Sequence, residues 1–184
     1  MKNSICPSCS SRKRHRGLFE LYKDILSKLD TPKILHFAPE PVFYGLFNPY
    51  QYYTADLELT DVDIQLDIEN INYSSESFDL ILCNHVLEHV SNDNMALCEL
   101  QRILKPSGIA IITVPGNWNR EETIEYNQPD SNGHQREYGL NFLSILNEIF
   151  SRIESIDLFK YNQYHHLSLG LTPQHDLALL CHKN

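Results

Sequence analysis

Three acidic residues, Asp56, Asp67 and Asp79, sit at or inside short apolar runs: YYTADL, IQLDI and FDLILC. In open sheets of parallel strands, ligands bind beyond the carboxyl ends of the strands, near the point where strand order reverses. Asp56 stands twenty positions after His36, about the offset at which an acid on the next strand meets ribose hydroxyls. A carboxylate suits that task because it accepts from two vicinal hydroxyls at once. Asp67 can accept from an adenine amino group while its neighbour Ile68 covers the ring. For Asp79, within the following run, a bond to backbone is as good a reading as a ligand role.

Three further stretches carry chemistry-bearing residues. His85, Glu88 and His89 spell H-x-x-E-H, the inverted zinc-protease signature. Such sites need the motif on a helix, a distant glutamate and a large chain. Here the motif follows a buried run in a chain of 184 residues, which argues against a protease. Cys6 and Cys9 form one C-x2-C, half of a zinc knuckle, and a closed tetrahedral site needs two more ligands. The stretch DSNGHQREYG brings Asp130, His134, Arg136 and Tyr138 together, groups able to grip an acidic substrate or take a proton. A neutral imidazole is the usual proton acceptor near pH 7, and His134 is preferred to His85 for that role. A plain loop histidine is the competing reading.

The elements that must position these groups follow from apolar spacing. Leu18, Leu21, Tyr22, Ile25, Leu26 and Leu29 recur at helical intervals, and Thr31-Pro32 ends that helix. Strands are expected over 33–37, 53–57, 78–83 and 109–114, with a weaker one over 62–66. The strands at 78–83 and 109–114 read as buried on both faces. Helices are expected over 92–104 and 140–150, and closing strands over 153–159 and 177–181. Residues 116–136 read as loop. Strands alternating with helices give an α/β fold with a largely parallel sheet. The last two strands, joined without a helix pattern, are free to pair antiparallel.

Composition narrows the classes. The length suits one domain, 17–184, preceded by a basic arm over 1–16. The net charge is −9, yet residues 1–16 hold five basic side chains and no acid. The arm is either a solvated tail or a local site for an acidic partner. The acidic body argues against nucleic-acid binding. No apolar run is long enough to span a membrane, and five cysteines without a ladder of spacings fit a reducing cytoplasm.

YTADL, LDI, FDLILCNHVLEHV and ELQRILKPSGIAIITVP together resemble the class I S-adenosylmethionine-dependent methyltransferases, in their small-molecule branch. The resemblance covers roughly residues 33–115. It implies a Rossmann-like seven-stranded sheet with an antiparallel last strand and helices on both faces. It also implies S-adenosyl-L-methionine as cofactor, and a small polar methyl acceptor such as a sugar or nucleotide-sugar hydroxyl. The cofactor contacts it implies are His36, Phe37, Ala38, Glu40, Asp56, Leu57, Asp67, Ile68 and the turn Cys83, Asn84, His85. One departure stands out. In ILHFAPEPV, Ala38, Glu40 and Val42 occupy the places of the family's three glycines, and His36 that of a common acid. The cofactor's methionine end has no phosphate, so the loop is less constrained than in dinucleotide folds. Glu40 is then expected at the ammonium or sulfonium end, with His36 orienting the turn. A closed loop without cofactor is the rival, making the chain a non-catalytic binding module.

The resemblance bears on metal as well. Some methyltransferases carry an acid-x-x-Glu-His metal motif at this place, where His85 replaces the first acid; no metal ligand is assigned, the open reading being His85, Glu88 and His89. CPSCSSRKRHRGLFELY resembles the second knuckle of a short zinc ribbon whose first knuckle is missing. A remnant without metal is preferred to completion by a partner chain.

Overall fold

The computed structural model describes residues 5–162 and 177–184. In chain order the elements are α1 (Lys13–Leu26), β1 (Lys33–Phe37), a 3-10 turn (Pro41–Phe43), α2 (Tyr44–Phe47), β2 (Gln51–Asp56), β3 (Ile64–Gln65) and β4 (Phe78–Asn84). Then follow α3 (Asp93–Ile103), β5 (Leu104–Thr113), β6 (Ile124–Glu125), β7 (Arg136–Glu137), α4 (Asn141–Ile149), β8 (Arg152–Asp157), α5 (Leu158–Tyr161) and β9 (Leu177–His182). Seven strands form one sheet in the order β3-β2-β1-β4-β5-β9-β8. The first five are parallel, and β9 runs antiparallel to both β5 and β8. The expected α/β class and antiparallel last strand are both present.

Alternation along the strands makes two cores, one on each face of the sheet. Leu35 and Phe37 of β1, Ile81 and Cys83 of β4, and Ala110 and Ile112 of β5 enter the core against α3 and α4. Ile34 of β1, Leu80 and Leu82 of β4, and Ile111 of β5 enter the other, beneath α1. Continuous apolar runs are what a sheet covered on both faces requires.

Several boundaries differ from the expected ones. α1 begins at Lys13, within the expected arm, because its first turn is basic and adds nothing to the apolar stripe. β5 begins at Leu104, where a register shift against β4 absorbs the turn Lys105 to Gly108. β8 stops at Asp157, whose carboxylate accepts from the Phe159 and Lys160 N–H groups and starts α5. Within 116–136, β6 pairs with β7 as a small antiparallel ribbon. The connection between the last two strands, expected to lack a helix, has residues 163–176 outside the described residues.

Polar groups fasten α1 to the sheet. His15 Nδ1 accepts the Arg12 N–H at 3.2 Å, so the ring proton sits on Nε2, which lies 3.1 Å from Glu40 Oε1. On the other carboxylate oxygen, Asn84 Nδ2 donates at 2.8 Å and His36 Nε2 lies at 3.3 Å. Behind them Tyr52 OH meets His36 Nδ1 at 2.9 Å and Tyr22 OH donates to Asn84 Oδ1 at 3.0 Å. Burial pushes the Glu40 carboxyl up, but the His15 and His36 ring N–H groups outweigh it and hold the acid well below its usual range.

A depressed carboxyl adds stability that is fully present above its ordinary value of 4.5 and is lost as pH falls toward the depressed one. Glu40→Gln should therefore destabilise the fold by about 2–3 kcal/mol at neutral pH. The gap to the native protein should narrow on acidification below pH 4.5. Urea unfolding at several pH values measures both; an equal or pH-independent difference would contradict the assignment.

Candidate cofactor cleft

Strand order reverses between β1 and β4, and a cleft of about 570 Å³ opens there at the carboxyl ends of β1, β2, β3 and β4. That is within the usual size of small-molecule sites. Phe37 and Ala38 come from the end of β1, Asp56 and Leu57 from β2, Asp67 and Ile68 from the turn after β3, and His85 from the end of β4. Two of these residues are left-handed: Ala38 has φ +45° and His85 φ +52°. The left-handed turn after β1 is what glycine normally relieves, and alanine accepts it at a cost of about 1 kcal/mol.

The two aspartates each serve a turn with one oxygen. Asp56 Oδ1 accepts the Glu58 and Leu59 N–H groups at 2.8 and 2.9 Å, and Asp67 Oδ1 accepts the Glu69 N–H at 2.8 Å. The second oxygen of each lies outside these turn bonds, in carboxylates that line the cleft. Leu57, 58% exposed, and Ile68, 6% exposed, give the cleft apolar surface beside the acids. Asp79 does what its backbone reading foresaw, accepting from Lys33 N at 2.9 Å and pairing with Lys105 at 2.8 Å.

Four expected cofactor contacts do not line this cleft. His36 and Asn84 share strand parity with Ile34 and with Leu80 and Leu82, so they point beneath α1, 0% and 3% exposed. Glu40 is drawn to the same face by the network that holds α1, instead of meeting the cleft. Cys83 has the other parity and is sealed in the core against α3 and α4, where burial pushes its thiol well above its usual range. Sequence position put all four near the strand ends; the alternation of the sheet decides which way they face.

The far rim is built by two loops locked together. His85 to His89 form turns, not the helix a zinc protease needs. Gln135 N donates to the Glu88 carbonyl at 2.7 Å, and Gln135 Nε2 to the His89 carbonyl at 2.8 Å. Arg136 and Tyr138, expected to grip a substrate, are spent inside this junction. Arg136, 5% exposed, donates to the carbonyls of Leu87, Val90 and Ser91 and to Glu125. Tyr138 OH meets the Leu87 carbonyl and Asp93. A buried guanidinium with carbonyl partners is a clasp, and nothing in DSNGHQREYG separates a clasp from a substrate grip. His134 stays near the rim, its Nδ1 3.3 Å from Asp130 Oδ2, with its ring edge-on to His89 at 4.9 Å between centroids.

His89, Glu69 and Ser91 line the cleft without having been singled out as cofactor contacts. Glu69 accepts the Ser91 N–H at 2.7 Å, bridging the β3 and β4 sides of the mouth. Only a known sheet order brings those residues together. All five cysteines are free thiols, and among the described residues no group able to hold a metal includes Cys6 or Cys9.

The family model described as "Methyltransferase domain" matches residues 45–112. The reducing polyketide synthase Preu2 of Preussia isomera is 28% identical over 64 residues, which is 35% of this chain and 3% of that protein's length. The 1,6-didemethyltoxoflavin-N1-methyltransferase of Burkholderia thailandensis, solved with 1,6-didemethyltoxoflavin and S-adenosylhomocysteine bound, superposes with a TM-score of 0.65 at 16% identity. That superposition covers 94% of this chain and 78% of the other. A SAM-dependent methyltransferase of Archaeoglobus fulgidus superposes at 0.63 and 13% identity, covering 92% and 94%. The chain thus shares the fold of these solved methyltransferases, and its residues 45–112 match the methyltransferase-domain pattern.

Proposed function

We propose that the chain binds S-adenosylmethionine and transfers its methyl group to a small polar acceptor, a sugar or nucleotide-sugar hydroxyl being the first assignment. One observation carries this reading: Asp56 and Asp67 share a single cleft at successive strand ends, with Leu57 and Ile68 beside them. The methyltransferase-domain match and a solved neighbour holding S-adenosylhomocysteine support it.

These residues fit the cofactor's nucleoside half. Asp56 accepts from the ribose hydroxyls, Asp67 from the adenine amino group, and Leu57 and Ile68 cover the ring. Ala38, whose backbone turns left-handed, leaves room for the amino-acid half where a larger side chain would intrude. When bound, the cofactor supplies a methyl group already activated by its sulfonium. The chain's main task is then alignment of the acceptor. An acceptor hydroxyl must also lose a proton. His134 is the group assigned to receive it: Asp130 holds its Nδ1 and leaves Nε2 as the basic nitrogen at the rim.

Isothermal titration with S-adenosylmethionine and S-adenosylhomocysteine tests the reading directly. Both should bind the native chain, and Asp56→Ala should weaken them by about tenfold or more through loss of charge-assisted hydrogen bonds. Folded protein giving no heat with either ligand would leave the binding-module alternative. Ala38→Gly should bind both ligands as the native chain does while raising unfolding stability by about 0.5–1 kcal/mol. A fall in stability there would contradict the strained turn.

A further inference from the structure

At the rim of the cleft, Glu88, His89 and His134 each offer one ligand atom, and these atoms lie within 4.8 Å of one another. Their outer bonds decide which atoms are offered. His89 Nδ1 lies 3.2 Å from the Gly133 carbonyl, which can only accept, so its proton is on Nδ1 and the Nε2 lone pair is free. His134 Nδ1 faces the Asp130 carboxylate at 3.3 Å, which likewise leaves Nε2 as the lone pair. Glu88 meets His85 Nδ1 through Oε1 at 3.0 Å. Its Oε2 is buried and has no hydrogen-bond partner among the described residues. The Glu88 side chain is 0% exposed, and a carboxylate oxygen left in that state is costly unless a cation meets it.

We propose that Glu88, His89 and His134 form a site for a divalent transition-metal ion of the zinc class. Two imidazoles with one carboxylate suit zinc or iron better than magnesium. The outer bonds match what metal-binding histidines normally have, a carbonyl or carboxylate on the second nitrogen. The site is held in place before any ion arrives: Gln135 ties the Glu88 and His89 carbonyls to the loop that carries His134. Three protein ligands leave positions open, and His89 lines the cofactor cleft, so an acceptor hydroxyl can take an open position and be acidified there. That last role rests on the proposed methyl transfer; the ion site does not. It also refines the part of His134, whose lone pair holds the ion in the loaded protein instead of taking the proton.

The test uses the full chain with Cys6→Ser and Cys9→Ser, so that the thiolate arm cannot compete, stripped with chelator and titrated with Co2+ followed by Zn2+. One equivalent of Co2+ should give visible d–d absorption that Zn2+ abolishes. His134→Ala should weaken Zn2+ binding by about tenfold or more, and Asp130→Asn, which touches no ion, by about tenfold. Circular dichroism checks that both variants fold. Absent absorption, or Zn2+ affinity unchanged in both His134→Ala and His89→Ala, would overturn the site. S-adenosylhomocysteine binding is measured on the same samples. Metal binding without cofactor binding defeats the proposed function and leaves the site standing; the reverse defeats the site and leaves His134 as the base.

Discussion

The Glu40 carboxylate is the point where α1, the turn after β1 and the end of β4 meet. It sits just past β1, 13% exposed at its side chain, and takes contacts from α1 through His15, from β1 through His36 and from β4 through Asn84. A buried carboxylate with one donor missing would be costly. With Asn84 and His36 on one carboxylate oxygen and the His15 ring 3.1 Å from the other, the turn after β1, the start of α1 and the end of β4 meet at one point. The donors themselves are held from behind by Tyr52, Tyr22 and Arg12, so the bonds run in one direction toward the charge.

That fixed point separates two jobs that the strand ends could otherwise confuse. Beneath α1 the polar groups at the ends of β1 and β4 serve structure. In the cleft beyond the strand ends, Asp56, Asp67 and the backbone at Ala38 and His85 are left for a ligand. The glycine-free turn is thereby accounted for. Ala38 adopts the left-handed conformation that glycine would make easy, and Glu40 anchors the turn from the sheet side, where glycine has nothing to offer.

Much of this was legible in the sequence. Continuous apolar runs identified β1, β4 and β5, and the FDLILCNHVLEHV to LKPSG stretch carried enough pattern to name the fold. Asp56 and Asp67 were found because strand-end position alone puts an acid near the cleft. Facing was not legible. His36, Glu40 and Asn84 are next to the cleft in sequence and face away from it, since strand parity and the position of α1 decide their direction. Arg136 and Tyr138 looked like substrate groups because buried clasps and exposed grips use the same residue types; only the carbonyls of Leu87, Val90 and Ser91, supplied by a distant turn, distinguish them. The meeting of Glu88 and His89 with His134 likewise depends on a loop contact that no local spacing encodes.

The proposed division of labour gives the nucleoside to the acids at the ends of β2 and β3, while the acid after β1 holds the helix. A crystal structure of the chain grown with S-adenosylhomocysteine tests it most directly. The account predicts ribose at Asp56, adenine between Leu57 and Ile68, and Glu40 still joined to His15, His36 and Asn84. A ligand whose ammonium is held by a Glu40 swung away from α1, or a nucleoside bound away from both aspartates, would contradict it.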